Sequence, residues 1–117
     1  MSRTYASQEY CPVARTLDIV GDRWTLLVLR DIFRRKRKFS ELLESLEGIS
    51  PNLLADRLKK MEAQGMLERR FYSDHPPRAE YRLTDKGKAF GDVIQAMFEW
   101  GEKYEPRENS MAAPFAR

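Results

Sequence analysis

Between Phe39 and Gly65 the apolar positions fall into two helical stripes separated by a turn. Phe39, Leu42, Leu43 and Leu46 are spaced i, i+3, i+4, i+7, one face of a helix, and Ser40 is placed to cap it. Gly48 breaks the pattern as a residue just past a helix end does. Ser50 is the next cap, followed by Pro51 at a first helical position, where a missing N–H does no harm. Ile49 and Leu54 flank that cap at hydrophobic-staple spacing. Leu54, Leu58 and Met61 then form a second stripe, which Gly65 closes. Two short amphipathic helices joined by a tight turn read as a helix-turn-helix.

The flanking patterns extend this unit. Upstream, Pro12 opens a helix with Val13, Leu17 and Val20 on its apolar side and Gly21 at its end. Asp22 caps a second helix, in which Trp24, Leu27, Val28 and Ile32 make one stripe and Leu26, Leu29 and Phe33 a neighbouring one. A helix apolar over so much of its circumference belongs in the core. Downstream of Gly65 the period changes to two. Leu67–Tyr72 and Ala79–Leu83 read as strands, joined by a polar loop, Ser73–Arg78, stiffened by Pro76 and Pro77. Thr84 caps a last helix with Phe90, Ile94, Met97 and Gly101 on one face and Val93, Phe98, Trp100 and Tyr104 close to it. That broad surface suits either the domain's own core or a second copy of the chain, and its bulk favours the second copy. The expected fold is mainly α with a small β-hairpin: a winged helix-turn-helix spanning residues 11–104, with a flexible arm at 1–10 and a disordered tail at 105–117.

Composition narrows the classes. At 117 residues the chain is expected to form one domain. Charged residues at 33% and aromatics at 11% mark a folded protein and not a disordered one. No apolar run approaches the roughly 20 residues of a membrane helix, no signal-peptide core opens the chain, and one cysteine leaves no internal disulfide framework. A cytoplasmic location is therefore expected, with no membrane partner. Net charge is +3, and the basic excess lies before residue 85, in the part that holds the helix-turn-helix. Such a surface suits a polyanion. An enzyme is not expected, because one His, one Cys and no glycine-rich phosphate loop assemble no nucleophile and base. A single His and a distant Cys also make no metal site, and no cofactor is expected.

The candidate nucleic-acid contacts follow from which positions the stripes leave outward. On the helix from Pro51 to Gln64 these are Pro51, Asn52, Ala55, Asp56 and Lys59. Asn52 suits adenine, Ala55 a thymine methyl and Asp56 a cytosine amino group, although Asp56 also stands at ion-pair spacing from Lys60. Ser40, Ser50 and the N–H groups at both helix starts suit phosphates, and Arg57, Lys59 and Lys60 add charge, although Arg57 lies towards the buried side and also suits an internal pair. The run Arg34–Lys38, with Arg35, Lys36, Arg37 and Lys38, reads as an exposed basic turn beside the motif, available for phosphate contact or simply solvated. His75 and Arg78 sit in the wing loop, near the flanking minor groove or backbone; Arg78 suits DNA, whereas His75 reads first as a solvated loop residue and only second as a DNA contact. A winged helix used only for protein–protein contact is the alternative, and it would call for apolar residues on the outer edge of 50–60. Cys11 precedes the first helix with Arg15 one turn on, a setting in which thiols become reactive; an inert, packed cysteine is the other reading. Trp24, Phe98 and Trp100 could line a small-molecule pocket or merely fill the core.

The segments CPVARTLDIVGDRWTLLVLRDI, RKFSELLESLEGISPNLLADRLKKMEAQGMLER and PPRAEYRLTDKGKAF resemble the HxlR-type winged helix-turn-helix transcriptional regulators of bacteria and archaea, within the MarR-like superfamily. The resemblance covers roughly residues 10–104 and rests on Cys-Pro at the start, Gly-x-x-Trp before the core helix, Gly-Ile-Ser before the recognition helix and Pro-Pro-x-x-x-Tyr-x-Leu-Thr in the wing. It implies a homodimer on double-stranded operator DNA, with an interface built from both terminal helices: Val13 and Leu17 from the first, and Phe90, Ile94, Met97, Phe98, Gly101 and Tyr104 from the last. It also implies a possible oxidant or electrophile sensor at Cys11, as at this position in some relatives. The Arg34–Lys38 run departs from the family, many of whose members carry a shorter, glycine-containing turn.

Overall fold

The computed structural model describes residues 8, 10–74 and 77–108. Its elements follow one another as α1 (Pro12–Val20), α2 (Thr25–Phe33), α3 (Phe39–Ser45), α4 (Pro51–Ala63), β1 (Leu67–Asp74), β2 (Pro77–Leu83), α5 (Asp85–Ala89) and α6 (Gly91–Tyr104). The expectations for the arm at 1–10 and the tail at 105–117 fall largely outside the described residues.

Helix α2 is the hub. It packs on α1, α3, α6 and β2, and Val28, Leu29 and Ile32 are fully buried. Leu42 of α3, Leu46 just past its end, and Leu54, Leu58 and Met61 of α4 close over it, with Ile49 beside them. Both stripes of the helix-turn-helix therefore point into one core, as their spacing requires. Asp31 lies in the same core with no exposure. Arg30 Nε donates to its Oδ1 at 3.0 Å, and its Oδ2 has no partner among the described residues.

Local signals start and stop most helices. Ser50 Oγ accepts the Leu53 N–H at 3.1 Å ahead of Pro51. At the other end of α4, Gly65 adopts φ 74°, and Met66 and Gly65 donate to the carbonyls of Met61 and Glu62. This is a Schellman closure. The same closure ends α2, where Lys36 and Arg35 donate to Asp31 and Ile32, but here the left-handed position is Arg35, with φ 69°. A Cβ at that conformation costs about 1 kcal/mol. Arg35→Gly should therefore raise stability by roughly that amount, read as a higher urea midpoint with an unchanged slope. A lower midpoint would mean that contacts of the arginine side chain outweigh the strain.

Three expectations are corrected. Ser40 does not cap α3, because it already lies inside the helix; Glu41 Oε1 instead accepts the N–H groups of Arg37 and Lys38 at 3.2 and 3.0 Å. The last helix is two: Thr84 Oγ1 caps α5 by accepting the Gly87 N–H, and the chain turns at Phe90 before α6 begins. The hairpin is longer than its alternation, since β1 and β2 pair from Leu67↔Leu83 to Asp74↔Pro77 with an irregularity at Tyr72. Most of the expected loop is thus strand, and Pro77 enters at a strand's first residue, where no ladder N–H is lost.

Lys38 adds a third edge to this sheet through a bridge to Glu80, beside which the Tyr81 N–H donates to the Arg37 carbonyl at 2.7 Å. Behind the wing, the start of α5 grips the end of α4. Thr84 Oγ1 donates to the Gly65 carbonyl, the Thr84 N–H to that of Met66, and Lys86 Nζ to that of Gln64 at 2.8 Å. A lysine at a helix C-terminus also complements its dipole.

Candidate nucleic-acid interface

Burying Leu54, Leu58 and Met61 leaves the outer edge of α4 to Pro51, Asn52, Ala55, Asp56, Lys59 and Lys60, all of them exposed. Ser50 is exposed as well, and its hydroxyl can still donate while its oxygen caps the helix. In the first turn Pro51 has no N–H and Leu53 and Leu54 donate to Ser50, which leaves the Asn52 N–H at the helix start as the backbone donor for a phosphate.

One carboxylate oxygen of Asp56 is already engaged on this edge. Its Oδ2 meets Arg57 Nη1 at 2.5 Å and Lys60 Nζ at 3.3 Å, so the ion pair expected from i, i+4 spacing is present. Arg57 also reaches back to Asp22 Oδ1 with Nε at 3.2 Å. Asp22 in turn caps α2, its Oδ1 accepting the N–H groups of Trp24 and Thr25 at 2.8 and 3.0 Å, while the Thr25 hydroxyl donates to Oδ2. Burial alone would raise the Asp22 carboxyl; those hydrogen bonds, with the charge of Arg57, outweigh it and hold the group below its ordinary 3.8. The stabilisation is therefore complete above 3.8 and is lost as the pH falls below it. Asp22→Asn should lose less stability than the wild type between about pH 5 and about pH 3, measured as urea midpoints across that range. Equal losses would show that Asp22 does not contribute to acid unfolding.

The basic run is not one uniform exposed turn. Arg35, Lys36 and Lys38 are exposed, but Arg37 is half-buried, its carbonyl joined to the wing and its Nε buried without a partner among the described residues. Lys38 Nζ lies 5.1 Å from the centre of the Tyr72 ring, which ties the turn to the wing a second time. Arg78 is exposed on β2 opposite Ser73, whereas His75 lies outside the described residues. The wing also carries two exposed aromatics, Phe71 and Tyr72, with Arg69 5.7 Å from the Phe71 ring centre.

The terminal helices present a second surface. Val13, Leu17, Met97 and Tyr104 are exposed, as are Val93 and Trp100, and the Trp100 and Tyr104 rings meet at a tilt with centroids 5.3 Å apart. Ile94 is corrected: at 7% exposure it belongs to the chain's own core, and Phe90 packs half-buried against that core. Phe98 and Gly101 are also half-buried. Helix α6 therefore carries two apolar stripes, an inner one through Gly91, Ile94 and Phe98 and an outer one through Val93, Met97, Trp100 and Tyr104. Trp100, 60% exposed, does not fill the core. Cys11 is a free, half-buried thiol just before α1, two residues from Val13.

A central helix, a helix-turn-helix with an open second helix and a hairpin anchored beside it define a winged helix-turn-helix. Residues 19–109 match the family of HxlR-like helix-turn-helix proteins. The chain is 35% identical over 111 residues to YdeP of Bacillus subtilis, named as an uncharacterized HTH-type transcriptional regulator, covering 93% of this chain and 87% of that protein. Among solved structures, the redox regulator HypR in its reduced form superposes with a TM-score of 0.76 at 32% identity, over 80% of this chain and 93% of HypR. The reduced form of the transcriptional regulator YodB from B. subtilis superposes with a TM-score of 0.67 at 32% identity, over 84% of this chain and 98% of YodB. The chain belongs to the HxlR-like family of HTH-type transcriptional regulators.

Proposed function

We propose that the protein is a sequence-specific regulator that binds a pseudo-palindromic operator as a homodimer. The observation that carries this is the uncovered outer edge of α4, where Asn52, Ala55 and Asp56 stand exposed beyond Ser50. The helix enters the major groove, its N-terminal side chains meet base edges, and Lys59, Lys60 and the exposed cations of the turn neutralise phosphates. Arg78 reaches the flanking backbone. The outer stripes of α1 and α6 meet those of a second copy, which places two recognition helices about one helical turn, ~34 Å, apart.

Cys11 is the proposed signal input, supported by its place beside the outer stripe of α1 and by the likeness to the redox regulator HypR. Two Cys11 thiols, one from each protomer, would join as a disulfide, giving up two protons and two electrons to a peroxide or quinone. Selection from randomised DNA duplexes tests the main reading. The expected result is a pair of inverted half-sites bound with an affinity that falls steeply with salt. A flat affinity between low and moderate salt sinks it. For the input, a Cys11→Ser protein that still responds to peroxide eliminates the cysteine as the switch.

A further inference from the structure

The side chains on the outer edge of α4 are linked to the start of α2. Asp22 is fixed by the backbone N–H groups it accepts at the start of α2. Arg57 is anchored on Asp22 through Nε and holds Asp56 through Nη1. Asp56 also receives Lys60, and both cations bear on the same oxygen, Oδ2. A carboxylate on a surface that meets phosphates is repelled by them, and two cations on one oxygen offset that charge. The pairs leave Oδ1 to accept a hydrogen bond, and in the major groove the group suited to a carboxylate is the amino group of cytosine. A guanidinium presents its donors in a rigid fork. One arginine can thus fix the carboxylate of Asp56 relative to that of Asp22, which a single ammonium cannot do.

We propose that Arg57 is a positioning residue for base recognition: braced on Asp22, it holds Asp56 with one carboxylate oxygen engaged and presents the other to a cytosine in the operator. This rests on the protein being a sequence-specific DNA binder. Residues that never touch DNA, Asp22 and Arg57, then help to set its base preference.

The test is selection from a pool of short randomised duplexes with the purified full chain, run in parallel for the wild type, Asp56→Ala, Arg57→Gln and Arg57→Lys, each checked for its melting temperature. Asp56→Ala should lose the preference for one C·G pair in each half-site. Arg57→Gln should lose about tenfold of the preference at that same pair, the scale of one base contact, and keep the others. Arg57→Lys, which stays folded and keeps the cation, should retain overall affinity and still lose that preference. If Arg57→Lys retains the wild-type preference, charge alone suffices and the positioning role is overturned. An equal loss at every position in Arg57→Gln also overturns it, because that is the mark of a phosphate contact or a loosened helix. If the wild type itself selects no sequence, the DNA-binding reading falls and this proposal with it. A wild type that selects normally beside an unchanged Arg57→Gln removes this proposal alone.

Discussion

Trp100→Glu should turn the proposed dimer into monomers and weaken operator binding by about 10²–10⁴-fold. The range is the gain from making the second half-site contact intramolecular. Trp100 is 60% exposed in the protomer, so the substitution leaves the core intact. Across a two-fold interface every altered position occurs twice, and each copy would put an unpaired carboxylate where an aromatic ring had been buried. The expected readout is a halved mass by light scattering, with an unchanged melting profile at low concentration and a collapsed affinity for the two-half-site duplex. A variant that stays dimeric and binds as before would place the interface away from the outer stripe of α6.

Gly87→Ala should destabilise the fold by about 3 kcal/mol. A Cβ at Gly87 would lie 2.2 Å from the Met66 carbonyl oxygen and 3.2 Å from Leu83 Cδ2. The first neighbour is backbone and already accepts the Thr84 N–H, so it cannot step aside without breaking the grip of α5 on the end of α4. Gly48 makes the contrast. A Cβ there meets nothing within 4 Å, but the residue sits at φ +94°, so Gly48→Ala should cost only the smaller conformational penalty, about 1 kcal/mol. Urea midpoints for the two variants separate packing from backbone preference. Equal costs would show that the α5 junction yields to a methyl group.

The recognition helix was legible because its signals are local. Ser50, Pro51, the Ile49–Leu54 staple and the closing Gly65 lie within a few residues of the ends they define. The outer edge followed as the complement of the Leu54–Leu58–Met61 stripe. What escaped the sequence depends on neighbours brought together by folding. Asp22 and Arg57 are 35 positions apart, and nothing in either segment announces the pair. The bridge from Lys38 to Glu80 is similar: a one-residue strand has no periodicity to read. The face of α6 was misjudged in part because the turn at Phe90 separates it from α5, and because two apolar stripes on one helix merge in a single listing of apolar positions. The inner stripe holds Ile94; the outer one, with Met97 and Trp100, is exposed on the protomer.

The bond from the Tyr81 N–H to the Arg37 carbonyl has a consequence for how the domain assembles. It joins the two ends of a segment that contains α3, α4, all of β1 and the hairpin tip. The helices in that segment are stabilised by near contacts and form quickly, whereas this closure brings together distant parts of the chain and must overcome loop entropy. The base of the wing is held separately to the end of α4, through Thr84 and Lys86. With both closures made, the hairpin is held at two points and the segment between Arg37 and Tyr81 becomes one unit.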